Sequence, residues 1–139
     1  MEKLLYGDLT YQVIGLAMKV HQTLGNGFLE KVYENSLMLL FKRAGLTAKQ
    51  QVAVKVYFEG EIVGEYIADI LVEGKVILEL KVTDKITNIH KAQVLNYLKA
   101  TGLEIALIIN FGGRSLEHFR LINRLSSLEN AKIDTNWIK

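Results

Sequence analysis

Asp69 closes the run Tyr66-Ile67-Ala68-Asp69, and Glu79-Leu80-Lys81 interrupts the apolar run that follows it. Taking a carboxylate or an ammonium out of water is costly unless it is paired, hydrogen-bonded or bound to a metal. Acids and a lysine inside greasy strands therefore point to a site. Two carboxylates, a main-chain carbonyl near Leu80 and waters make an oxygen-only shell. Such a shell suits magnesium or manganese, which binds a phosphate oxygen and acidifies an attacking water. Lys81 shares a strand face with Glu79 and is placed to hold that water or to balance charge building on the phosphate. The competing reading is an ordinary salt bridge on a solvated face, Glu79 with Lys81 or Asp69 with Lys75.

Whether Asp69 joins Glu79 depends on the turn between the strands. A two-residue Glu73-Gly74 loop pairs residue 72 with 75 and sets the carboxylates on opposite faces. A three-residue loop, Val72-Glu73-Gly74, with Gly74 left-handed, pairs 71 with 75 and 69 with 77, and brings them to one face as diagonal neighbours. The second register is required for a site, with Val76, Leu78, Leu80 and Val82 forming the core face.

The elements around these strands follow from periodicity and punctuation. Asp8 is a plausible N-cap for a first helix carrying Leu9, Val13, Leu16, Ala17, Val20 and Leu24, and Gly25 sits where a C-cap glycine belongs. A second helix runs from the Gly25-Asn26-Gly27 link to about Ala44, stopped by Gly45. Residues 51 to 82 read as an antiparallel meander of three strands with Glu-Gly turns at 59 and 73. Thr83 or Asp84 can cap a third helix ending at Thr101 and Gly102. Leu103 to Phe111 reads as a strand buried on both faces, Leu116 to Ile122 as a last strand, and Ser126 to Lys139 as a short helix or frayed tail with Trp137 docking back. The expected order is ααβββαββ, an α/β (α+β) fold with a mixed four- to five-stranded sheet flanked by helices.

On the third helix the wheel clusters His90, Gln93 and Tyr97 with apolar residues, so polar groups enter the packing face. A buried Gln needs several hydrogen-bond partners, which waters and phosphate oxygens would supply. An ordinary core tyrosine and a capped histidine are the competing readings. Glu30, at the edge of the buried sector of the second helix, is a candidate fourth acid or else a first-turn carboxylate that favours the helix dipole. His21 reads as a satisfied core histidine, and with no His or Cys at ligand spacing a zinc site is not expected.

Composition bounds the rest. The 139 residues are 50% hydrophobic and 23% charged, the balance of one globular domain with its core at about 9–124 and a tail at 125–139. The net charge of +2, from 17 basic and 15 acidic residues, is too mild to indicate a strongly basic nucleic-acid binder. Without cysteine there is no disulfide, thiolate metal site or Cys nucleophile. No signal-peptide core or bilayer-length apolar run is present, so a soluble cytoplasmic protein without a membrane partner is expected.

Gly27-Phe28-Leu29-Glu30-Lys31-Val32-Tyr33 resembles the signature of the GxxExxY proteins, a group within the PD-(D/E)XK nuclease superfamily. The resemblance runs from about residue 9 to 124. It includes the His21 to Gly27 segment, Asp69, Glu79-Leu80-Lys81, Gln93 with Tyr97, and Asn110-Phe111-Gly112. It implies a restriction-endonuclease-like core, with Asp69 and Glu79 as metal ligands, Lys81 as catalytic lysine, and Gln93 and Tyr97 lining the site. Glu30 enters as an additional acid. Ala68 stands where the superfamily's name has proline, a substitution common in the superfamily. The function implied is Mg²⁺- or Mn²⁺-dependent hydrolysis of phosphodiester bonds in DNA or RNA. The alternative is a catalytically silent module that keeps the fold and binds nucleic acid or a protein partner, with a homodimer through an apolar sheet edge as one form of it.

Overall fold

The computed structural model describes residues 6–123. In chain order the elements are α1 (Gly7–Leu24), α2 (Glu30–Arg43), β1 (Ala48–Phe58), β2 (Glu61–Val72), β3 (Val76–Lys81), α3 (Asn88–Thr101), β4 (Ile105–Asn110) and β5 (Glu117–Ile122). The order ααβββαββ holds, and the sheet has five strands in the order β1-β2-β3-β4-β5. Only β3 and β4 are parallel, joined by the α3 crossover, and every other pair is antiparallel. The tail reading and Trp137 fall outside the described residues. No helix among the described residues is long and apolar enough to cross a membrane.

Both faces of the sheet are covered. Ile70, Val72, Leu78, Leu80, Leu107 and Ile109 pack against α1 and α2 through Val13, Val20, Tyr33, Leu37 and Phe41. Leu71, Ile77, Ala106 and Ile108 pack under Val94, Tyr97 and Leu98 of α3. Expecting one core face on β3 was therefore incomplete: Ile77, on the face assigned to charge, is 1% exposed. A strand beside a parallel crossover is covered on both sides and loses simple alternation.

Glycines end the helices as expected, with Gly25 and Gly102 at positive φ. Two N-caps lie elsewhere than expected. Tyr6 precedes α1, with Asp8 in the first turn. Thr87, not Thr83 or Asp84, caps α3: its hydroxyl accepts the His90 N–H while the His90 ring accepts the Thr87 N–H. That reciprocal box holds His90 at the helix start and removes it from the expected polar cluster.

The β2–β3 connection has three residues, but they are Glu73-Gly74-Lys75, because Val72 pairs with Val76. Glu73 (φ 54) and Gly74 (φ 64) are both left-handed, and the Lys75 N–H returns to the Val72 carbonyl at 3.0 Å. The ladder ends at Ile70↔Leu78, so Asp69 and Glu79 are the next residues on the two strands, where pairing of 69 with 77 and a diagonal relation were expected.

Candidate active site

β2 and β3 pair only over residues 70–72 and 76–78; at Asp69 and Glu79 the ladder stops and the strands part. Side chains occupy the opening. The Asp69 carboxylate accepts the Leu80 N–H at 2.7 Å, and the Glu79 carboxylate accepts the Asp69 N–H at 3.1 Å. Each acid thus satisfies a main-chain donor that the diverging strand has left behind, which offsets part of the cost of placing charge in the sheet.

The fork has a cause in β1. Pairing skips from Gln50↔Ile70 to Val52↔Ala68, leaving Gln51 opposite Asp69, and Gln51 is left-handed at φ 53. A non-glycine residue in that region is uncommon within a strand. Here it accompanies a reversal of faces, since Ile70 packs toward α1 and α2 whereas Ala68 packs toward α3. Glu34 anchors this kink. It is 2% exposed and accepts from Gln50 Nε2 at 2.6 Å, Gln51 Nε2 at 2.8 Å and Lys31 Nζ at 2.8 Å. Sequence reasoning missed Glu34. Its signal was present in the i,i+4 spacing from Glu30 and in the two adjacent amide side chains at 50 and 51.

Glu30, the first residue of α2, is exposed at the rim of the fork, close enough to Asp69 for the Asp69 charge to raise it. What holds it there is Tyr33. The buried Tyr33 ring stacks on Phe111 at 4.4 Å between centroids, its hydroxyl donates to the Gly25 carbonyl at 2.6 Å, and it accepts the Phe28 N–H at 3.2 Å. The last residue of the Gly27-to-Tyr33 motif therefore shapes the loop that presents its central glutamate. His21 is a satisfied histidine as expected, its Nε2 lying 2.9 Å from the Gly113 carbonyl.

Asp69 and Glu79 line the fork with Glu30 at its rim, and each of the three is harder to ionise than a free acid. Burial and the Asp69 charge push Glu79 up to about 8. Burial also raises Asp69, against the pull of the Leu80 N–H, and raises Glu30, reinforced by the neighbouring Asp69. Lys81, half-buried at the end of β3, is a cation whose field lowers all three. Tyr97 is 5% exposed, and burial with the Glu79 and Asp69 charges raises its hydroxyl to about 12, so it remains a donor at neutral pH. Gln93 departs from expectation: it is exposed, because α3 packs through Val94, Tyr97, Leu98 and Thr101 and leaves residue 93 on the flank.

Leu80 has a double role. Its side chain is fully buried beneath α1 and α2, while its N–H faces the fork. In a strand the N–H and C=O of one residue point the same way, so the Leu80 carbonyl also faces the fork. The donors offered there are two carboxylates and a carbonyl, all oxygen, which fits a hard divalent cation. Among the described residues no set of three or more His, Cys, Asp or Glu side chains is gathered as a ready-made cage.

Asn110 fastens the far end of the site. Paired with Lys81 in the β3–β4 register and 1% exposed, it accepts the Thr83 and Gly112 N–H groups. Its amide donates to the Thr83 carbonyl at 2.9 Å and to Glu117 at 3.0 Å. The segment between Lys81 and α3 is thereby clamped, and Gly112 lies so close to the Thr83 main chain that a Cβ would not fit. The Asn110 and Ile86 donors hold Glu117 below its ordinary value.

The chain matches the family model of the PD-(D/E)XK nuclease superfamily over residues 7–122. A solved structure described as the crystal structure of SSO0001 is similar in fold, with a TM-score of 0.55 and 15% identity. The alignment covers 90% of this chain and 64% of that one, so this chain spans less than two thirds of its structural relative. Curated protein sequences return no match. Nucleases of this superfamily generally use divalent metals. With a mixed sheet that splits at Asp69 and Glu79 and a matching family model over nearly all of its length, this chain belongs to the PD-(D/E)XK nuclease superfamily.

Proposed function

We propose that this protein is a metal-dependent nuclease of the GxxExxY group that hydrolyses phosphodiester bonds in DNA or RNA. The observation that carries the reading is the fork closed by Asp69 and Glu79, each carboxylate taking a main-chain N–H, with Lys81 and Glu30 close enough to be felt and burial raising all three acids. Such crowding of acids is unfavourable in isolation and becomes favourable when a cation enters. Asp69, Glu79 and the Leu80 carbonyl would hold a magnesium or manganese ion. When bound, that ion supplies Lewis acidity toward a phosphate oxygen and a water. Lys81 orients the attacking water or balances charge developing on the phosphate. Glu30, held nearer neutrality than a free glutamate, exchanges a proton with water entering the fork. The Tyr97 hydroxyl, which feels the Glu79 and Asp69 charges, would donate to a bound phosphate oxygen, and the exposed Gln93 amide would offer a donor and an acceptor to the incoming strand.

The test is incubation of the purified protein with single- and double-stranded DNA and RNA in Mg²⁺, Mn²⁺ or EDTA. Cleavage is expected with metal alone and is lost in Asp69→Ala and Lys81→Ala. Equal cleavage by Asp69→Ala and wild type would refute the assignment.

A further inference from the structure

Beyond Asp69 the strand β2 continues without β3 beside it, and with β1 it forms a two-stranded arm whose turn is Glu59-Gly60. Tyr66 lies on this arm, 43% exposed, with its ring centroid 5.3 Å from that of Tyr97. Tyr97 in turn feels the charges of Glu79, Asp69 and Tyr66. The two rings therefore form a step from the acid cluster out to solvent, buried at one end and open at the other.

The charge of the arm narrows what can meet that step. Glu59, Glu61 and Glu65 are exposed on it, against the half-buried Lys55. Tight binding of intact duplex rests on cations that track phosphates, and the exposed charges named on this arm are acidic. What an exposed tyrosine face favours is another π-face, and a paired, stacked duplex presents none along its length. An unpaired nucleotide does.

We propose that Tyr66 is a stacking platform for an unpaired base next to the scissile phosphate, which makes single-stranded nucleic acid, or the single-stranded part of a branched one, the substrate class. This rests on the nuclease reading for the identity of the reacting phosphate. The recognition itself is read by binding.

The experiment measures anisotropy of a short labelled oligonucleotide, single-stranded or as a blunt duplex, with the full chain in EDTA so that no cleavage enters. A 2-aminopurine base in the single strand reports stacking by quenching. Tyr66→Ala and Tyr66→Leu are expected to weaken single-strand binding by about 5- to 100-fold and to relieve the quenching, with duplex binding unchanged. Tyr66→Phe keeps both signals. Leu retains apolar bulk against Tyr97, so full binding by Tyr66→Leu would overturn the proposal, as would equal losses on both substrates or no single-strand binding by wild type. Tyr66-dependent binding by a protein that cuts nothing in Mg²⁺ or Mn²⁺ would remove the nuclease reading and support the platform.

Discussion

Glu79→Gln isolates the cost of crowding acids in the fork. In the metal-free fold Glu79 titrates at about 8 against an ordinary 4.5. Below about pH 4.5 folded and unfolded chains both carry the proton, and the stability contributed by the neutral, buried carboxyl is fully present. Between about 4.5 and 8 the unfolded chain releases it first, so stability falls as pH rises; above about 8 the whole cost is borne. A gap of roughly 3.5 pH units sets a ceiling of about 5 kcal/mol for this residue. Asp69 and Glu30 are raised too and share protons with it, so we expect a measured decline of about half that ceiling between pH 5 and 8.5. For a chain of this size the decline corresponds to roughly 10 °C in Tm. Glutamine keeps the carboxylate's shape and can still accept the Asp69 N–H through its amide oxygen. The variant is therefore expected to melt higher than wild type at pH 8.5, with a flatter profile. Adding Mn²⁺ at pH 8 should raise the wild-type Tm, by about 2.7 kcal/mol of stability at one hundred times Kd, and leave the variant largely unmoved. Thermal melts monitored by circular dichroism across pH, with and without metal, read both effects. Wild-type stability that stays level or climbs from pH 5 to 8.5 would refute the argument from burial.

Two further substitutions probe the supports of the site. Tyr33→Phe removes the hydroxyl that bridges Gly25 and Phe28, with an expected loss of about 1–2 kcal/mol in urea unfolding and a fall in kcat at unchanged KM as Glu30 loses its placement; unchanged kcat would separate Tyr33 from the site. Asn110→Ala strips partners from Thr83, Gly112 and Glu117 at once and is expected to cost about 2–4 kcal/mol by the same measurement, since the abandoned groups are partly buried. A loss under about 0.5 kcal/mol would mean that water replaces the clamp.

The local elements were legible because their signals are local. Gly25 and Gly102 mark helix ends by a backbone conformation that side-chain-bearing residues resist, and the short, isoleucine-rich apolar run from 105 to 109, closed by Gly112-Gly113, reads as a strand covered on both sides. The start of α3 was less legible: Thr83 and Asp84 have capping chemistry, yet Asn110 draws that segment into an extended link, and Thr87 takes the cap with a histidine in the place usually held by Glu or Gln. Gln93 was read as buried because a helical wheel ranks residues by angle without knowing which neighbours are present.

Charge spacing along the chain already determined that Asp69 and the Glu79-Leu80-Lys81 triplet occupy adjoining strands, and that a three-residue turn was needed for their carboxylates to meet. Tertiary structure decided the manner of the meeting. The left-handed Gln51, tied down by Glu34, reverses the faces of β2 at residue 69, parts it from β3, and puts carboxylates where main-chain partners would have been. Tyr33 then fixes the loop that sets Glu30 at the rim of the opening, from a helix that precedes the sheet. Periodicity reports which residues share a face of one element; it holds no record of where two strands separate, because that depends on hydrogen bonds between residues far apart in the chain.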